Sequence, residues 1–327
     1  MAMRQRITWF VFLLVSIVLA VSQSAQAATE LKLGHFMGTE DAYHVIATKF
    51  AELASQYTNG AVRVRVFPGG QLGGDRELTE AVMLGTVEAT IVASGNIAGF
   101  EPKFMVFDLP FLFRDEAQGL RVLDGPVGQK IAALLEPKGI KLLAWGSNGF
   151  RNMITVKKKV MGPDDMRGLR FRVMESPVFV AMFKSLGASA VPIAPAEIYS
   201  SLQSGVVDGY EHPVQAYKTI KAYEVAKLVA LTGHAYTPTP LLMNLKVFNS
   251  MSKAQQEAIL KAAQEAALAG RALIAKSLEE QKAQLRAFGV EFIDVDKRPF
   301  QQKMADVYKQ FEPQFGKDLI EAILQSK

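Results

Sequence analysis

The sequence predicts an α/β protein of two lobes, with mixed sheets and one long helix lying along both. Three observations lead there. Apolar residues alternate between helix and strand periods along the chain; one short unit occurs twice, about 120 residues apart; and a stretch of about 36 residues near the C-terminus carries helix signals throughout.

The first 27 residues stand apart from this pattern. Arg4 and Arg6 form a basic start, Ile7 to Val21 is an uncharged apolar run, and "SQSAQA" places small residues at Ala25 and Ala27. That is the layout of a secretory signal with its cleavage site. A run of about fifteen apolar residues is short for a membrane span. Residues 1–27 are therefore expected to be a cleavable signal peptide, and the exported chain to start near Ala28; an uncleaved anchor is the alternative.

Beyond it, "LKLGHF" (31–36) reads as a first strand, and Ala42 to Tyr57 as an amphipathic helix ended by Asn59-Gly60. "VRVRVF" (62–67) alternates strictly, so it is a strand with one wet face, stopped by Pro68-Gly69-Gly70. Glu77 to Leu84 is helical, Gly85 closes it, and "VEATIVAS" (87–94) follows as a buried strand. The unit "ELTEAVMLGTVEA" (77–89) has a counterpart in "EIYSSLQSGVVDG" (197–209): Glu and an aliphatic residue, glycine eight positions on, then an acidic residue before a strand. Gly85 and Gly205 suit the left-handed conformation that ends a helix. Chance is one reading of a single short match; the other is two similar lobes with a cleft between them.

Near the C-terminus, "SKAQ" is a capping box with Ser252 as N-cap and Gln255 three residues later. From Lys253 to Phe288 there is no proline and one glycine, Gly270, until Gly289 ends the run. A continuous helix there would span about 54 Å, longer than one small domain. Two helices broken near Gly270 are the alternative.

Composition narrows the function. The chain has 327 residues, 49% hydrophobic and 21% charged, ample material for a core. It has no cysteine, which excludes disulfides, thiolate metal sites, thiol nucleophiles and a lipid anchor on cysteine. The net charge of +5 falls to +3 without Arg4 and Arg6, and the one dense run, Lys157 to Lys159, reads as a solvated turn. No nucleic-acid partner is expected. His35, His44, His212 and His234 lack the spacing of a metal motif, and neither a nucleophile elbow nor a phosphate loop occurs. An exported α/β chain with a cleft between two lobes suggests capture of a small solute, and lobe closure is the usual motion of capture.

Several landmarks now point further. "FPGGQLGGDRE", "FDLPFLF", "NGFRN", "MRGLRFRV", "AEIYSSLQSGVVDGYEHP" and the long terminal helix occur in this order. From about Glu30 to its end the sequence resembles the solute-binding proteins of TRAP transporters, the tripartite ATP-independent periplasmic carriers, or DctP-like family. The resemblance implies a periplasmic-binding-protein (Venus-flytrap) architecture. Lobe I would be residues 28–148 plus about 238–270, and lobe II about 149–237 plus about 271–327. It also implies a periplasmic location, a small-molecule carboxylate ligand, and delivery to small and large membrane subunits for ion-gradient-driven uptake. A monomer without metal or cofactor is expected. An exported ligand sensor that docks to a receptor, or a periplasmic enzyme, is the alternative.

Residue by residue, the resemblance matches Arg172 in "LRFRV" to the family's principal carboxylate-binding arginine and Arg151 in "GFRN" to a supporting one. His212 stands where the family segment "DGQENP" has asparagine, beside Glu211. His234 falls near this network, and Phe36 and Ser94 match positions facing the cleft from lobe I.

The chemistry is consistent with these matches. A guanidinium offers two parallel donors to a carboxylate, which lysine lacks. Arg170 and Arg172 share one face of a strand, with Phe171 on the other; Arg172 is expected in the cleft and Arg170 at the rim. Glu211 is expected to pair with Arg151, leaving one arginine for the ligand. Val206 and Val207 are expected to be buried, and His212 to offer donors or charge near neutral pH. Phe36 and Met37 favour an acid with some apolar surface over a heavily hydroxylated one.

Overall fold

Residues 28–326 are described by a computed structural model; the expected signal peptide lies outside them. Among the described residues nine strands form one mixed sheet: β1 (Thr29–His35), β2 (Val62–Phe67), β3 (Ala89–Ile91), β4 (Ile140–Thr155), β5 (Arg170–Val173), β6 (Ser189–Pro192), β7 (Gly209–Pro213), β8 (Leu228–Asn244) and β9 (Glu291–Ile293). Their order is β2-β1-β3-β8-β4-β7-β5-β6, with β9 beside β8.

This order is nearly palindromic. β1 lies parallel between β2 and β3, and β5 lies parallel between β6 and β7. β3 joins β8 and β7 joins β4, both antiparallel. The two copies of the repeated unit therefore lead into corresponding strands, β3 and β7, on either side of a central pair. Gly85 and Gly205 hold the same left-handed conformation, φ 79° and 71°.

The central pair, β4 and β8, has 16 and 17 residues, about 50 Å each at roughly 3.3 Å per residue. These strands run from one half of the molecule to the other. Their register slips between Ser147 and Phe150 and again between Arg151 and Met153. A bulge bends a strand and re-aims its side chains, and Gly149, at φ 76°, supplies the left-handed turn within it.

The helix Lys253–Ala287 is continuous, and its cap is reciprocal: Gln255 N–H donates to Ser252 Oγ at 3.2 Å, and Ser252 N–H to Gln255 Oε1 at 2.9 Å. Gly270 does not break it. Ala262, Ala263, Ala266, Ala267 and Gly270 line one buried face, and a Cβ at Gly270 would stand 2.4 Å from Ile46 Cγ1 on the helix Ala42–Tyr57. The glycine is there for close approach of two helices.

Two local expectations are corrected. Val206 is 52% exposed and only Val207 is buried, because β7 starts later, at Gly209, and Val206 belongs to the preceding turn. The strand expected over 87–94 shrinks to Ala89–Ile91. Asp75 Oδ2 accepts from Ala93 N–H at 3.2 Å and from Asn96 Nδ2 at 2.7 Å. These bonds turn the chain out of the sheet into a 3₁₀ helix, Ser94–Ile97.

Among the described residues apolar packing occurs in three clusters. One joins β1 to the helix Ala42–Tyr57 and the first half of the long helix, through Leu33, Phe50 and Ala263. A second joins β7 to the end of the long helix, through Ile154, Tyr210 and Leu285. The largest includes Phe104, Trp145, Phe171 and Phe183 and extends beneath the C-terminal helices through Phe311 and Ile323. Gln118 Nε2 donates to Ile323 O at 2.9 Å, fastening the last helix, Lys317–Leu324, to the segment before β4.

Candidate carboxylate-binding site

β5 delivers two arginines to different fates. Arg170 is exposed and forms a two-pronged pair with Asp208, Nη2 to Oδ1 at 2.7 Å and Nε to Oδ2 at 3.1 Å. Phe171 points into the core and stacks on Phe183 at 4.7 Å. Arg172 is 1% exposed. Its Nε donates to Ile193 O at 2.8 Å, and its Nη1 stands 3.7 Å from Glu211 Oε1, too far for a hydrogen bond. Among the described residues no hydrogen bond from Arg172 Nη1 or Nη2 is found.

Arg151, on β4, differs. Its Nε and Nη2 grip the Glu211 carboxylate, the latter at 2.9 Å to Oε1; Nη2 also donates to Glu211 O at 2.9 Å, and Nη1 to Thr237 Oγ1 at 3.2 Å. Its guanidinium lies 5.4 Å from the Phe179 ring centre. β7 presents Glu211 because it pairs with β4, Glu211 opposite Met153 and Pro213 opposite Arg151.

Electrostatics follow from this arrangement. Burial alone would raise the Glu211 carboxyl, but Arg151, with His234 and Arg172 behind it, holds it down to about 2. Arg172 is pushed down by burial to about 10, against the pull of Glu211, so it stays charged. One buried arginine is thus compensated and the other keeps its charge.

Both arginines line a crevice with His212, Asn148, Thr237, Met174 and Pro195; from the β1 side come Phe36, Met37, Tyr43, Asp75, Ala93 and Asn96. The crevice is tight, with about 20 Å³ of free space, room for one water. Larger surface hollows, of about 670 and 680 Å³, lie against the helix Pro177–Ser185 and behind the β4 bulge; neither contains a buried arginine.

Residues 33–314 match the family model of the bacterial extracellular solute-binding proteins, family 7 (DctP). The chain belongs to this family. It is therefore a solute-binding component of a TRAP transporter, in a family of transport proteins rather than enzymes that works in the periplasm with TRAP membrane subunits. The chain is 35% identical to the 2,3-diketo-L-gulonate-binding periplasmic protein of Escherichia coli, over 93% of this chain and 94% of that one. A TRAP solute-binding protein from Polaromonas with D-erythronate bound superposes with a TM-score of 0.90 at 34% identity, covering 91% and 99%. One from Sulfurospirillum deleyianum with succinate bound gives 0.87 at 32%, covering 92% and 100%.

In this DctP-family chain the structure brings together Arg172, Arg151, His212 and Phe36 at the crevice, with Glu211 between the arginines. His234 stands one layer out: its Nε2 is 3.7 Å from Glu211 Oε2, and its Nδ1 is 2.8 Å from Thr232 Oγ1. Burial lowers its pKa. Ser94 is not in the lining. It starts the 3₁₀ turn and is fully buried, while its neighbours Ala93 and Asn96 reach the crevice.

His212 departs from the expectation of charge. Burial first, and then the field of Arg151, push it down to about 3, so it is neutral. Its Nδ1 lies 3.3 Å from Pro213 O; a carbonyl only accepts, so Nδ1 carries the proton and Nε2 is left as an acceptor.

Sequence reasoning missed Asp75, Asn96, Asn148, Thr237 and Tyr43. For two of them a signal was in view: Asp75 follows the paired glycines of "LGGDRE", and Asn148 precedes the left-handed glycine of "NGFRN".

Proposed function

We propose that this chain captures a small organic acid in the crevice between its lobes and hands it to the small and large membrane subunits for uptake driven by an ion gradient. Arg172 takes the carboxylate. Arg151, neutralised by Glu211, forms the wall against which that carboxylate is set, and Phe36 and His212 contact the rest of the acid.

One observation carries the reading: Arg172 is a buried, charged guanidinium whose outer nitrogens make no hydrogen bond among the described residues. A buried charge without a strong partner is costly, and a carboxylate supplies both the charge and two acceptors in the matching geometry. The related proteins with diketogulonate, erythronate and succinate support an acid ligand.

The lobes are residues 28–148 with about 238–270, and about 149–237 with about 271–327. The last helix, 317–324, is bonded to the first of them through Gln118 and so acts as a strap across the division. The acid bridges the lobes and favours their closed state only through its preference for that state. Residues 1–27 act as the export signal, and the exported chain works as a monomer.

A thermal-shift screen of mono- and dicarboxylates, hydroxy acids, sugar acids and aromatic acids tests this. An acid at one hundred times its Kd stabilises by about 2.7 kcal/mol. A screen in which no carboxylate raises the melting temperature contradicts the reading.

A further inference from the structure

We infer that the acid this crevice accepts is a hydroxylated monocarboxylate, and that Asp75 is the residue that rejects a second carboxylate. The inference rests on Arg172 as the carboxylate partner and concerns what the remainder of the ligand must be.

The charged groups in the lining are Arg151, Arg172 and Asp75. Glu211 neutralises Arg151, so a single cation is left to pair with a ligand anion. Beside the hydroxyls of Tyr43 and Thr237 and the Asn148 amide, the wall offers unpaired acceptors. Asp75 Oδ1 is buried and has no hydrogen-bond partner, although Oδ2 takes two. Asn96 Oδ1 is likewise unpartnered; its orientation is set because Nδ2 donates to the Asp75 carboxylate, and a flipped amide would set oxygen against oxygen. Asn148 Oδ1 is the third buried acceptor without a partner, and His212 adds its Nε2.

A buried acceptor left unpaired is costly, and a donor from the ligand removes that cost. Hydroxyl groups are such donors, whereas a carboxylate and a bare hydrocarbon chain are not. A second carboxylate would find no uncompensated cation, and Asp75 is itself an anion. Burial raises the Asp75 carboxyl to about 6 against the bonds from Ala93 N–H and Asn96, so above pH 7 it is ionised. Like charges brought together in a closed site are strongly disfavoured. The unpaired acceptors therefore argue against the expectation drawn from Phe36 and Met37.

The test is titration calorimetry at pH 8 with matched open-chain acids of three to six carbons: each aldonate, the aldarate of the same length that replaces its terminal CH₂OH by carboxylate, and unsubstituted acids (butyrate, hexanoate, benzoate). At the chain length that binds best, the aldonate is expected to bind at least ~10-fold more tightly than its aldarate and than any unsubstituted acid. Asp75→Asn is expected to shrink the aldonate-to-aldarate ratio, because it removes the repulsion and one acceptor together. An aldarate or an unsubstituted acid that equals the aldonate overturns the inference while leaving the carboxylate reading in place. Equal losses for both members of a pair in Asp75→Asn overturn the role of Asp75. If no acid of any kind binds, the reading of Arg172 falls first.

Discussion

Glu211 lies between two buried arginines and serves them unequally: it chelates Arg151 through Nε and Nη2 but stays 3.7 Å from Arg172 Nη1. The difference arises on the backbone. Arg151 and Glu211 sit on neighbouring antiparallel strands, β4 and β7, where the bulge turns the arginine onto the carboxylate. Arg172 reaches in from the parallel strand β5, anchored by its Nε on Ile193 O. That anchor aims the two outer nitrogens at the crevice, and this sets the first prediction.

Arg172→Lys keeps the charge and removes the fork. Two charge-assisted hydrogen bonds become at most one, so affinity for any acid that binds is expected to fall by about 2–3 kcal/mol, roughly 30- to 150-fold. Thermal melting of the ligand-free protein should change little. Equal affinity of variant and wild type, measured by calorimetry, would remove Arg172 from the site.

Glu211→Gln acts on stability. It leaves the size unchanged and deprives buried Arg151 of its countercharge. Breaking one side of a buried pair costs about 3–5 kcal/mol. Urea unfolding is the measurement, and a midpoint within error of wild type would show that Arg151 is compensated by something else.

His212 gives a pH prediction with a definite sign. Its folded pKa, about 3, lies below the ordinary 6.5, so the neutral ring contributes stability that is present above pH 6.5 and is lost as pH falls toward 3. Between pH 7 and pH 5 this share amounts to about 2 kcal/mol. His212→Asn removes it. The variant should therefore lose about 2 kcal/mol less than wild type over that interval, whatever Asp41, Asp75 and the other buried acids contribute in both proteins. Parallel stability curves for the two proteins would mean that His212 titrates normally.

Gly270 tests why the long helix is whole. In an exposed helix, alanine for glycine stabilises by about 1 kcal/mol. Here the new Cβ would stand 2.4 Å from Ile46 Cγ1, and overpacking of this kind costs about 1–3 kcal/mol. Gly270→Ala is expected to be net destabilising, with Ile46→Ala as partial rescue; a more stable single variant refutes the packing argument.

Much of this was legible in the sequence because local chemistry and global fold agree. The repeat around Gly85 and Gly205 marks two halves of one sheet, since each glycine ends a helix whose next strand flanks the central pair. The alternation Arg170, Phe171, Arg172 sends Phe171 into the core and both arginines to the other face, Arg170 at its exposed end and Arg172 buried. What escaped depends on contacts between distant segments. Asp75 looks like an ordinary helix start until Ala93 and Asn96 bind its Oδ2 and leave Oδ1 bare. The neutrality of His212 comes from burial beside Arg151, which no spacing encodes. Ser94 was displaced by the same turn that brought Asn96 to the crevice.

The most direct test is a crystal structure with the tightest-binding acid from the screen. The account predicts its carboxylate within hydrogen-bond distance of both Arg172 Nη1 and Nη2, enclosed by the two lobes, with Glu211 still bound to Arg151. A carboxylate seated anywhere else, with residue 172 out of its reach, would contradict it.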